Sequence, residues 1–134
     1  MLHTPSPDDA LVEALAFVYF FVAEHGDDHG LTPDERVRIT ETLARWTALG
    51  SHSAPGARIE QAMERALPQV KGTSDEATLT ALHQHARVIR QRLASDDHRK
   101  AVLYDMASVS RADGVVTQGE RELVTLVQRL LLAP

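Results

Sequence analysis

Two short stretches of the sequence match each other closely, Asp28-His29-Gly30-Leu31-Thr32-Pro33-Asp34-Glu35-Arg36 and Asp113-Gly114-Val115-Val116-Thr117-Gln118-Gly119-Glu120-Arg121. Asp, Thr, Glu and Arg recur between them at one offset of 85 residues, without a gap. Upstream, Tyr19 and Tyr104 recur at the same offset, as do the apolar residues Phe21 and Met106. A repeat of one supersecondary unit indicates architecture, here two pseudo-repeated helix–acidic loop–helix units.

The rest of the chain predicts helices only, because apolar residues recur at helical spacing almost everywhere. We expect an all-α, single-domain bundle of about six to seven helices over residues 1–134, with repeat units at about 8–50 and 95–134 and connecting helices at 55–94. Thr73-Ser74-Asp75-Glu76 is predicted to be a capping box, like the two in the repeats. The predicted helices run approximately from Ser6 to His25, Thr32 to Gly50, Ala57 to Pro68 or Val70, Asp75 to Ala94, Ser95 to Arg111 and Thr117 to Leu132.

The first and fifth helices are the most apolar. The stretch from Leu15 to Ala23 is apolar nearly all round, and Ala101 to Ala107 is broadly apolar too. A helix that is apolar on every side is typical of a buried, central position. We therefore expect these two helices to lie at the centre, each leading into one copy of the acidic loop.

Composition excludes several classes of protein. The chain has no cysteine, which excludes disulfides, thiolate zinc sites and cysteine nucleophiles and fits a reducing compartment. A net charge of −5 argues against non-specific binding to nucleic acid or an anionic membrane. Twelve of the 14 basic residues are arginine, and along the sequence they are scattered and form no basic stripe.

The apolar stretch from Leu15 to Ala23 is the best candidate for a membrane or targeting segment. It is far shorter than the ~20 residues that span a bilayer, and no Lys or Arg precedes it. We expect a cytoplasmic protein with neither a signal peptide nor direct membrane insertion.

The repeated loop has a purely structural interpretation. The Thr hydroxyl caps the next helix, and the Glu three residues later reaches back to the Thr N–H, a bond pattern worth about 1 kcal/mol. Glu35 and Glu120 are explained in this way. Asp28 and Asp113 are not.

A metal-binding interpretation starts from the spacing of Asp and Glu, seven positions apart across a turn. This is the spacing of the second half of an EF-hand calcium loop. The second copy does not match the first half of an EF-hand loop, because Val109 and Arg111 occupy positions where that loop has metal ligands. In the first copy, His29 replaces the turn glycine and Gly26 offers no side chain. Neither loop is therefore expected to be a self-sufficient EF-hand.

Two half-loops could share one site if the fold brings Asp28, Glu35, Asp113 and Glu120 together. Carboxylates ~4 Å apart repel by about 4 kcal/mol at an effective dielectric near 20, so an arginine, a proton or a divalent cation must compensate them. Oxygen-only ligands favour Ca²⁺, Mg²⁺ or Mn²⁺ over zinc. If the two apolar helices are antiparallel, the loops lie far apart and no site is shared.

These residues also carry a family likeness. An apolar helix, then Ala112-Asp113-Gly114, a Thr-led cap with Glu120 and an amphipathic helix resemble the TerB-like family of tellurite-resistance proteins, which is similar to the N-terminal domain of DjlA co-chaperones. The likeness is best over 102–131 and weaker over 17–46, where Asp28-His29-Gly30 replaces Asp-Gly. The resemblance implies a helical bundle that binds divalent metal on an acidic surface and acts in stress or resistance systems, often beside membrane-linked partners.

Carried over to this sequence, the resemblance gives Asp113 and Glu120, with Asp28 and Glu35, as candidate metal ligands. The leading hypothesis is a non-enzymatic module that binds a divalent cation and has a protein partner. The alternatives are a metal-free interaction module that docks a basic partner on its acidic face and, third, a metal-dependent hydrolase. No HExxH motif, glycine-rich phosphate loop or nucleophile elbow supports an enzyme.

Overall fold

The computed structural model describes residues 7–25, 32–48, 55–71, 74–93, 95–111 and 117–132. Within these ranges every regular element is a helix, which confirms the all-α prediction, and the helix ends lie within two residues of the predicted ones. The helices are α1 (Pro7–His25), α2 (Pro33–Ala48), α3 (Pro55–Val70), α4 (Asp75–Arg92), α5 (Asp96–Ser110) and α6 (Gln118–Leu132).

Serine hydroxyls cap α4 and α5. Ser95 Oγ accepts the backbone N–H of Asp97, as expected for a helix that opens at Ser95. At α4 the predicted capping box is one residue out of register. The N-cap is Ser74, whose Oγ accepts from the N–H of Ala77 at 3.1 Å. Ser74 has the extended backbone that is typical of an N-cap residue.

Helix α1 is the centre of the bundle, as predicted. It packs against all five other helices, and every side chain from Ala14 to Ala23 is buried. A helix surrounded on all sides has no face left for water, which explains why its sequence lacks an amphipathic period.

Helix α5 is not a second central helix, and that prediction was wrong. It packs mainly on α1, α2 and α6, and its first turn reaches the C-terminal end of α4 through Arg99. Val102, Met106 and Val109 face the core, but Tyr104 is 68% exposed. Its repeat counterpart, Tyr19, is fully buried. The two apolar helices therefore have different environments, because α3 and α4 cover α1 and leave α5 open on one side.

The two histidines on α4 point in different directions, as their spacing predicts. His83 is exposed. His85 is partly buried; it stacks on Phe17 with ring centroids 4.5 Å apart, and its Nε2 lies 2.7 Å from Gln69 Oε1. Since the Gln69 amide nitrogen donates to the Arg65 carbonyl, Gln69 Oε1 is the acceptor and His85 Nε2 the donor.

Candidate metal centre

Both predicted capping boxes of the repeats are present, and their geometry is the same. In the first, Glu35 N–H donates to Thr32 Oγ1 at 3.1 Å and Thr32 N–H donates to Glu35 Oε1 at 3.0 Å. In the second, both reciprocal bonds between Thr117 and Glu120 are 3.0 Å. Each box thus holds a glutamate in a fixed position at the start of a helix.

The glutamates of the two boxes are unusual in being completely buried. Glu35 and Glu120 both have an exposed fraction of 0%. An ordinary N3 glutamate sits in the first turn of a helix, where water reaches it, and charged residues are almost never fully buried unless they are paired. Capping explains one carboxylate oxygen of each, but it does not require that the other be removed from water.

The second oxygen of Glu120 has no hydrogen-bond partner among the described residues. No arginine or lysine of those residues forms an ion pair with it either. Arg121, the neighbour that could have paired with it, is exposed. A buried acceptor left without a partner costs about 1–3 kcal/mol, and more when it is charged, so this oxygen requires compensation.

Asp28 and Asp113 lie outside the described residues, in segments 26–31 and 112–116. Each stands four residues before the threonine of its capping box. The convergence of Asp28, Asp113, Glu35 and Glu120 on one ion therefore stays a prediction. Within the described ranges, no three Asp, Glu or His side chains gather as metal ligands.

A third buried carboxylate, that of Asp105, was not predicted from the sequence. It lies on α5, is 4% exposed, and accepts three hydrogen bonds from two other helices. Trp46 Nε1 donates to its Oδ2 at 2.8 Å, the Tyr19 hydroxyl donates to the same oxygen at 3.3 Å, and Arg45 Nη2 donates to Oδ1 at 3.0 Å. These contacts tie α1, α2 and α5 together.

The Asp105 cluster has a structural role rather than a reactive one. Burial raises the pKa of Tyr19 well above its usual 10.0, and the negative charge of Asp105 raises it further. Tyr19 therefore stays a neutral phenol that donates its proton, and both oxygens of Asp105 are satisfied. One sequence signal could have found the cluster, a single carboxylate inside the apolar run 101–107, because such a residue needs donors from neighbouring elements.

The comparisons with known proteins agree with the helical architecture. A family model described as tellurite resistance protein TerB matches residues 13–133. No curated protein and no solved structure gives a significant match. Separately, none of the helices in the described ranges has the length and apolar character needed to cross a bilayer.

Proposed function

Because the chain belongs to the tellurite resistance protein TerB family, we propose that it is a non-enzymatic helical module that binds a divalent cation. The proposed ligands are Glu120 with Asp113, and Glu35 with Asp28. The proposal extends to a role in a stress or resistance system, in which the cation-bound module engages a protein partner.

The observation that carries the proposal is the second carboxylate oxygen of Glu120. It is buried, and the described residues offer it neither a hydrogen bond nor an ion pair. Of the three possible compensations, an arginine has no support within the described residues, where Arg121 is exposed and no arginine pairs with Glu120. Of the other two, a proton and a cation, we propose the cation. The capping bond of the other oxygen, from Thr117 N–H, fixes the carboxylate before any ion arrives.

The donor chemistry fits a hard cation. All four proposed side chains supply carboxylate oxygen, which suits Ca²⁺, Mg²⁺ and Mn²⁺. When bound, the cation would supply positive charge next to a carboxylate that is already removed from water. Glu120 would contribute its second oxygen, and Asp113 would contribute a second carboxylate from the loop that leads into the capping box.

The experiment is a calorimetric titration with Ca²⁺, Mg²⁺, Mn²⁺ and Zn²⁺, paired with the melting temperature in each ion. Glu120→Gln is the informative variant, because an amide oxygen can still accept from Thr117 N–H while the charge is removed. Glu122→Gln is the matched control, since this acid is exposed on the same helix. At an ion concentration 100 times Kd, binding stabilises the native state by about 2.7 kcal/mol.

We expect that stabilisation in the wild type and in Glu122→Gln, and its loss in Glu120→Gln and in Asp113→Asn. Absence of heat and of a melting shift with all four ions would contradict the proposal and leave the metal-free interaction module as the better account. A response that Glu120→Gln leaves unchanged would also contradict it.

A further inference from the structure

The fold gathers arginines that are scattered along the sequence. A groove of about 460 Å³ lies between α4, the start of α5 and the end of α6, and its polar lining consists of His83, Arg87, Arg90, Gln91 and Arg99. We call this the arginine groove. Among the described residues, three arginines and a histidine line it, and no Asp or Glu does. In a chain with a net charge of −5, this gathering of arginine side chains is the reason to consider an anionic ligand.

Arg99 is the fixed part of the arginine groove. Its Nε donates to the Leu93 carbonyl at 2.7 Å and its Nη2 donates to the Arg90 carbonyl at 2.9 Å. Its side chain is only 17% exposed. The carboxylate of Asp96 lies 3.8 Å from Nη1 but is 75% exposed, so water screens that pair.

These bonds reverse the electrostatics at the end of α4. The last carbonyls of a helix carry partial negative charge and would repel an anion. Arg99 satisfies two of those carbonyls and places a full positive charge beside them. The C-terminal end of α4 therefore presents a cation to the groove rather than bare carbonyl oxygens.

Arg87 is the part of the arginine groove that is available to a ligand. It is exposed, and it lies one helical turn from His83 on one side and from Gln91 on the other. Residues four apart share a face of a helix. The row therefore offers a guanidinium flanked by an imidazole and an amide, in the same groove as the fixed charge of Arg99.

We propose that the arginine groove binds a phosphate-bearing anion. A guanidinium donates two parallel hydrogen bonds to a phosphate, which makes arginine the preferred residue for this ligand. The volume of about 460 Å³ falls within the range of small-molecule sites, ~300–1,000 Å³. Phosphate binding in the arginine groove is independent of cation binding, because no residue of the capping boxes lines the groove.

Pyrophosphate is the first probe, titrated into the metal-free protein by calorimetry at low and high salt. Arg87→Gln is the variant, because Arg99 supports the end of α4 and its replacement could unfold the helix. Arg92→Gln is the matched control; Arg92 is exposed on the same helix and does not line the groove. We expect roughly tenfold weaker binding in Arg87→Gln, as for the loss of one charge-assisted contact, and little change in Arg92→Gln.

The second arm distinguishes a soluble phosphate ligand from a lipid headgroup. It measures co-sedimentation with vesicles of phosphatidylcholine mixed with phosphatidylglycerol. Binding of pyrophosphate that depends on Arg87 supports the proposal with a soluble ligand. Binding of vesicles alone that depends on Arg87 supports it with a headgroup. Binding of neither probe, or equal loss in Arg87→Gln and Arg92→Gln, would overturn it.

Discussion

Replacing Asp105 with alanine tests the cluster that ties α1, α2 and α5 together. The fully buried Tyr19 hydroxyl would lose its partner, at about 1–3 kcal/mol, and the half-buried Trp46 indole would lose about 0.5–1.5 kcal/mol. The lost contact with Arg45 adds less to the destabilisation, about 0–1 kcal/mol, because the Arg45 side chain is 65% exposed and can hydrogen-bond to water instead. The expected loss of unfolding free energy is about 3 kcal/mol.

Urea unfolding followed by circular dichroism measures this loss, and thermal unfolding gives a second estimate. For a domain of this length each kcal/mol lowers the melting temperature by about 3–5 °C, so the Asp105→Ala variant should melt roughly 10 °C lower. Asp97→Ala is the control, because Asp97 is exposed on the same helix and should cost within about 0.5 kcal/mol.

A double-mutant cycle with Tyr19→Phe isolates the link between α1 and α5. The single change Tyr19→Phe should cost about 1 kcal/mol, and the pair should show coupling of at least about 0.5 kcal/mol. If Asp105→Ala costs no more than Asp97→Ala, or if the two sites are additive, the assignment of Asp105 as the shared acceptor would be refuted.

Two further predictions concern pH and the capping boxes. Burial lowers the pKa of His85 from 6.5, and the negative charge of Glu13 raises it by a smaller amount. The unfolded state therefore binds a proton at His85 more readily than the folded state does. The free energy of unfolding should therefore fall as pH drops through about 6.5 toward the folded-state pKa. His85→Gln should reduce this dependence in urea unfolding between about pH 8 and about pH 5, and an identical pH profile would contradict the reasoning. Thr117→Ala should cost about 1 kcal/mol in the same assay, whereas Thr125→Ala, on the exposed face of α6, should cost little; equal costs would argue against the capping box.

The helices could be read from the sequence because their signals are local. Thr32 with Glu35 and Thr117 with Glu120 form the reciprocal bonds that the spacing predicted. Likewise, a stretch apolar on every side is compatible only with burial, and α1 is buried as expected. Hydroxyl spacing and helical periodicity involve neighbours in the chain, so no tertiary information is needed to interpret them.

The features that the sequence did not give depend on contacts between distant elements. The acceptor role of Asp105 needs donors from α1 and α2, which lie 59–86 residues away in the chain. The arginine groove needs the end of α4 to lie against α5 and α6. The exposure of Tyr104 follows from where α3 and α4 pack. Nothing in the spacing of these residues specifies which helices become neighbours.

We propose that a cation compensates the buried carboxylate of Glu120. The most direct measurement is the anomalous difference map of crystals grown with Mn²⁺. We expect a peak within about 2.6 Å of Glu120 Oε2, with an oxygen of Asp113 in the same coordination shell. A hydrogen-bond donor at that oxygen with no peak nearby, or a peak found only elsewhere, would contradict it.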